Sequence, residues 1–138
     1  MLSIILAIGI AGVLGSFTDW LFMGVLFHDA YNRHPEIWRP GVRDGKSQGA
    51  IIASSVLGFV ITAAVVALCV LAHVTGIVGG LGVAALAWLA GPPVVIIVNG
   101  MFIKIDPKIT IAHCLGYGAR ILLAGLAAGI ALGPLAGR

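Results

Sequence analysis

Two charged residues stand inside apolar stretches of this chain, Asp19 in the first and Arg120 in the last. A charge at the centre of a bilayer costs at least about 2.5–3.5 kcal/mol on insertion scales, so each of these groups needs a partner or water. His113, Tyr117 and Arg120 follow one another at i, i+4 and i+7, a spacing that puts them on one stripe of a helix. Asn99 near the end of the third apolar run, and Ser54 and Ser55 at the start of the second, fall in the same half of the bundle. The expectation is an Asp19–Arg120 pair bordered by Tyr117, His113 and Asn99 and opening toward the polar loop that holds His28 and Asp29. Such a group could serve as a structural ion pair that fixes helix register, or as a proton or ligand site.

The loop after the first run is the densest polar stretch, with His28, Asp29, His34 and Glu36 within nine residues. These are metal-ligand types, but His28 and His34 lack the i, i+4 helical spacing of zincin motifs, and no Cys accompanies them. The whole chain has four histidines, about half of what membrane di-iron hydroxylases and desaturases need. No metal site is therefore expected and no cofactor is indicated. Trp20, Tyr31 and Trp38 read as aromatics of a membrane–water interface. Arg33, Arg39, Arg43 and Lys46 read as cations that could meet phosphate or lipid headgroups. Cys69 and Cys114 lie inside apolar runs, without the spacing of a disulfide framework or a zinc site, and read as packing residues.

The elements that must carry these groups follow from composition. The chain has 138 residues, 60% of them hydrophobic and 9% charged, against roughly a quarter charged in soluble domains. Crossing a bilayer takes about 20 apolar residues as a helix, and four runs qualify, at about 2–26, 50–72, 81–103 and 109–132. Residues 1–138 thus form a single all-α domain, an up-and-down four-helix bundle integral to the membrane, with one long polar loop at about 28–48. A short surface helix is expected near Pro35 to Trp38. The stretch His73 to Gly80 reads as a tight turn, Pro92-Pro93 as a kink, and Pro107 as the start of the last helix. The first run lacks a basic leader and continues past Gly15-Ser16, so it is read as a retained anchor and not a signal peptide.

The net charge of +3 does not point to nucleic acid, because the basic residues lie between apolar runs. Arg33, Arg39, Arg43, Lys46, Lys104 and Lys108 all fall in the first and third connections, with only Arg138 on the other side. The positive-inside rule then places both loops in the cytoplasm and both termini outside it, in a bacterial inner membrane. Gly125, Gly129 and Gly133, and Ala7, Ala11 and Gly15, form small-residue faces at intervals of four. Such faces permit close helix approach and raise the expectation of a homo-oligomer or a larger membrane complex.

The glycine-rich first run leading into Trp20, Gly24 and Leu26-Phe27, the tryptophan-containing loop, and Trp88-Leu89-Ala90-Gly91 in the third run together resemble a family of small four-helix bacterial membrane proteins. That family is defined as a domain of unknown function with a tryptophan in its first helix. Members carry a Trp-Tyr-Ser-Pro step where this chain has Trp20-Leu21-Phe22-Met23, and the resemblance implies a fold without an activity. By analogy, the small multidrug resistance transporters also have four spans and an acid in the first. The function expected is that of a structural or accessory membrane subunit. The alternatives are a small-molecule or proton-coupled transporter using Asp19, and a membrane-embedded enzyme using His113, Tyr117 and Asp19 with His28 or His34 on a lipid-soluble substrate.

Overall fold

The computed structural model describes residues 1–39, 41–42 and 47–133 and is predominantly helical, without strands among the described residues. Helix α1 (Leu2–Asp19) passes directly into a π-helical stretch, Trp20–Leu26. A short helix α2 (His28–Asn32) and a 3₁₀ turn at Pro35–Ile37 begin the long loop, the latter where a surface helix is expected. Helices α3 (Gln48–Leu71), α4 (Ile77–Ala90), α5 (Pro92–Phe102) and α6 (Pro107–Ala131) follow. Four helical runs, Leu2–Leu26, Gln48–Leu71, Ile77–Phe102 and Pro107–Ala131, are long and apolar enough to cross a membrane.

Three local features differ from the sequence reading, each for a backbone reason. The first run changes pitch at Trp20, and its end is closed by the Phe27 N–H donating to the Phe22 carbonyl over 3.0 Å, five residues back. The third run is broken at Gly91, not simply bent, because Pro92 and Pro93 have no N–H to continue the ladder. The second connection is also shorter than His73 to Gly80. It turns at His73 and Gly76, both with positive φ (51° and 105°), so Gly79 and Gly80 already belong to α4.

Helix α6 is the hub of the fold. It packs against α1, α3, α4 and α5, and its buried residues, including Ala112, Gly116, Arg120, Ala124 and Ala128, recur along most of its length. The core is built from small and medium side chains, with Val65, Ala84, Ile121 and Ala124 forming one cluster and Val66, Cys69 and Ala128 another. The large apolar residues point the other way: Ile52, Leu71, Val78 and Phe102 are all exposed. Bulky residues outside and small ones inside are what helix packing in lipid favours.

The small-residue faces are used within the chain. A Cβ on Gly80 would run into the Gly125 carbonyl, and one on Gly129 would lie 2.7 Å from the Gly76 carbonyl oxygen. Ala7, Ala11 and Gly15 are likewise buried. Five of the six positions in those small-residue faces, Ala7, Ala11, Gly15, Gly125 and Gly129, are thus buried within the chain, and Gly133 is half-buried.

Candidate functional site

Arg120 is the largest fully buried side chain among the described residues, 1% exposed. It leaves α6 at the corner where α1 and α3 meet that helix. The guanidinium fits there because two helices present glycine to it: a Cβ on Gly58 of α3 would lie 2.5 Å from Cζ, and one on Gly15 of α1 would lie 3.0 Å from Cγ. Asp19, one turn beyond Gly15, closes the charge. Nη2 donates to Asp19 Oδ2 over 2.6 Å and Nε donates to the same oxygen over 3.1 Å, while Ser16 Oγ accepts from Nη2 at 3.4 Å.

The expected pair therefore forms, and it is lopsided. Asp19 has a side chain 29% exposed against 1% for Arg120, and both bonds use one carboxylate oxygen. Asp19 Oδ1 and Arg120 Nη1 are buried and have no hydrogen-bond partner among the described residues. The Gly58 carbonyl beside the guanidinium already accepts from the Thr62 hydroxyl at 3.1 Å.

A cavity of about 370 Å³ opens beside the pair, between α1 with its π-helical extension and α3. Asp19, Arg120 and Ser16 contribute its polar inner wall. Trp20, Met23 and Ile51 supply apolar surface, and Ser54, Ser55, His28 and Trp38 ring the loop end. The hydroxyls of Ser54 and Ser55 both donate to the Ile51 carbonyl at 2.9 Å. Gly24 lets the Trp20 indole lie over the turn, since a Cβ there would approach Trp20 Cδ1 to 3.1 Å.

The other predicted residues divide. His113 and Tyr117 share the α6 stripe as expected, with ring centroids 6.3 Å apart. The partner of His113, however, is Tyr31, whose hydroxyl lies 3.0 Å from Nε2. Tyr31, read from the sequence as an interfacial aromatic, is buried. Helix α2 buries it against Ile109, Trp38 packs on its ring at 5.8 Å, and the Trp38 indole N–H donates to its carbonyl over 3.3 Å. Burial, with a smaller contribution from Tyr117, pushes the Tyr31 phenol up to about 12, so it stays protonated.

Asn99 is exposed and makes no side-chain hydrogen bond to this group among the described residues. The break at Gly91 sets the direction of α5 separately from α4, and Asn99 does not belong to the cluster. Asp29 is also exposed, on the outer side of α2. His28 is exposed too, but it lines the cavity.

A second polar constellation ties the two loops together. His34 Nε2 lies 3.1 Å from Asp106 Oδ2, and its Nδ1 lies 3.1 Å from Glu36 Oε1. Hydrogen bonds to the accepting carboxylates of Glu36 and then Asp106 raise the His34 pKa above its ordinary value. Asp106 also caps α6 by accepting from the Lys108 N–H over 2.7 Å. That bond, with His34, holds its carboxyl below the usual carboxylate range. His34 thus bridges the long loop to the first turn of α6, a role its sequence position did not disclose.

No group of three or more His, Cys, Asp or Glu side chains among the described residues is arranged to hold a metal ion. Cys69 is buried in the core, and the Cys114 carbonyl accepts from the Trp88 indole over 3.0 Å. Arg43 and Lys46, read as headgroup-contacting cations, lie outside the described residues, as does Arg138. The chain matches no family model, no curated protein and no solved structure, so the functional reading rests on geometry.

Proposed function

We propose that this chain is a small integral membrane protein of structural or accessory type, whose buried ion pair locks three of its helices into one register. The observation that carries this reading is the Arg120 guanidinium seated between Gly15 and Gly58 and bonded to Asp19. A charge so enclosed is costly unless paired, and the pairing dictates how α1, α3 and α6 align. Four long apolar runs and a surface of large apolar side chains support insertion in a bilayer. The basic residues of the first and third connections support a topology with those loops in the cytoplasm.

A second reading, a proton-coupled or small-molecule carrier, is favoured by one feature: Asp19 is partly exposed and lies on a cavity wall. Against it stands the seating of that carboxylate, whose Oδ2 is engaged by both Nε and Nη2 of Arg120. Purified protein in proteoliposomes separates the two. The structural reading expects no pH-driven flux from the wild type, together with a lower melting temperature for Asp19→Asn. Flux that is present in the wild type and abolished by Asp19→Asn would replace it with the carrier.

A further inference from the structure

We propose that two adjoining cavities, where the long loop meets the connection between α5 and α6, together bind one phospholipid with a primary ammonium head, of the phosphatidylethanolamine class. The site has a polar half and an apolar half that share a wall. Glu36, Lys104 and Ile105 line both cavities. On one side of them lies a cavity of about 380 Å³ edged by His34, Asp106 and Pro107. On the other lies a cavity of about 590 Å³ walled by Trp38, Ile103 and Ile109 and closed by the rings of Tyr31 and His113. Each volume is within the range of ligand sites, roughly 300 to 1,000 Å³. A polar chamber joined to an apolar one suits an amphiphile, with its head in the first and the start of a chain in the second.

The charges of the polar half select the head. Lys104 is exposed and forms no ion pair among the described residues, so its ammonium is available to a lipid phosphate. The Glu36 side chain is 68% exposed, and its bond to His34 uses Oε1. Oε2 lies outside that bond and can accept from a cationic donor. Lys104 and Glu36 are near neighbours: after the Glu36 N–H and His34, the Lys104 charge helps hold the Glu36 carboxyl below the usual carboxylate range. With Asp106 the chamber offers two carboxylates and one lysine, complementary to an ammonium and a phosphate carried a few ångströms apart on one head. A glycerol head brings no cation to the carboxylates. A trimethylammonium head brings the charge but no N–H, and so forgoes the charge-assisted hydrogen bond.

The depth of the apolar half fits the tail. Ile103 and Lys104 follow directly on the third apolar run, which ends at Phe102, whereas Ile109 and His113 lie in the first two turns of α6. The polar chamber is therefore at the level of the loops, and the apolar one reaches into the spans. Its rim residues Ile37 and Ile103 are exposed, as is the neighbouring Phe102, so a chain leaving the cavity stays on apolar surface. This inference rests on the reading that the chain is inserted in a bilayer and is independent of the role of the Asp19–Arg120 pair.

The test titrates the full chain in mild detergent with an equimolar mixture of dioleoyl phosphatidylethanolamine, phosphatidylglycerol and phosphatidylcholine, read by native mass spectrometry. One phosphatidylethanolamine retained per chain, favoured about threefold or more over each of the others, is the expected result, a factor on the scale of one exposed ion pair. Glu36→Gln should abolish that preference, and Lys104→Gln should lower retention of all three lipids by about the same factor. Ile103→Trp, which fills the apolar half from its exposed rim, should reduce phosphatidylethanolamine retention with the melting temperature kept. Glycerophosphoethanolamine, the head without its chains, should not displace the lipid. Equal retention of the three lipids, a preference unchanged by both Glu36→Gln and Ile103→Trp, or displacement by the soluble head would overturn the proposal and leave bilayer insertion standing. A chain that stays in aqueous solution without detergent would overturn both.

Discussion

Two seams of this bundle use the same small residues for opposite ends. Along α4 and α6, Gly80, Gly125 and Gly129 bring main chains together, so that an added Cβ would strike backbone. At the corner of α1, α3 and α6, Gly15 and Gly58 instead clear a slot that a charged side chain fills. One seam is held by close backbone approach and dispersion. The other is held by an ion pair whose cost of burial is offset only while both partners are present. A glycine in an apolar helix therefore has no single meaning until the atom opposite it is known.

The largest effect should come from unpairing the corner. Asp19→Asn or Arg120→Gln alone should lower stability in detergent by about 3 kcal/mol, within the range for breaking a buried pair. The double substitution should recover part of the loss, as a thermal denaturation cycle can measure. Strictly additive losses would show that the two groups do not stabilise each other.

The next effect sharpens the contrast between the seams. Gly58→Ala and Gly80→Ala should each cost about 1–3 kcal/mol through overpacking. Their rescue should differ. Shortening the opposing side chain with Arg120→Ala, in an Asp19→Asn background, should remove the penalty of Gly58→Ala. No side-chain substitution should relieve Gly80→Ala, because its neighbour is the Gly125 carbonyl. Equal responses of the two glycines in a melting-temperature series would collapse the distinction.

Smaller changes are expected at the loop. Tyr31→Phe removes the bond to His113 and should cost about 1 kcal/mol, and it should leave the Asp19–Arg120 coupling energy unchanged. Last comes His34. Its folded pKa is raised, so its contribution is fully present below the ordinary histidine value of 6.5 and is lost as pH rises through the raised value. Limited proteolysis of the first loop should accordingly be slower at about pH 6 than at about pH 8.5. His34→Ala should abolish that difference, and a pH dependence that survives the substitution would assign it elsewhere.

The ion pair was legible because a charge in an apolar run is conspicuous, and with one acid and one base at similar depth a partner is easily named. Asn99 shows the limit of that argument. Spacing along a run gives its depth, but the side of the helix it faces depends on the direction of α5, which the break at Gly91 resets. Tyr31 and His34 were hidden for a different reason. Their partners, His113 and Asp106, are 82 and 72 residues away, and nothing in the local pattern links an aromatic or an imidazole in a loop to the start of the last helix.

Run lengths, apolar content and the all-helical class were available from the residues alone, because hydropathy and helical period are properties of neighbouring positions. The π-helical stretch, the seating of Arg120 between two glycines, the cavity beside it and the loop clasp were decided only by tertiary structure. Each depends on which atoms from distant segments share a few ångströms of space, and that is settled when the helices pack, not when they form.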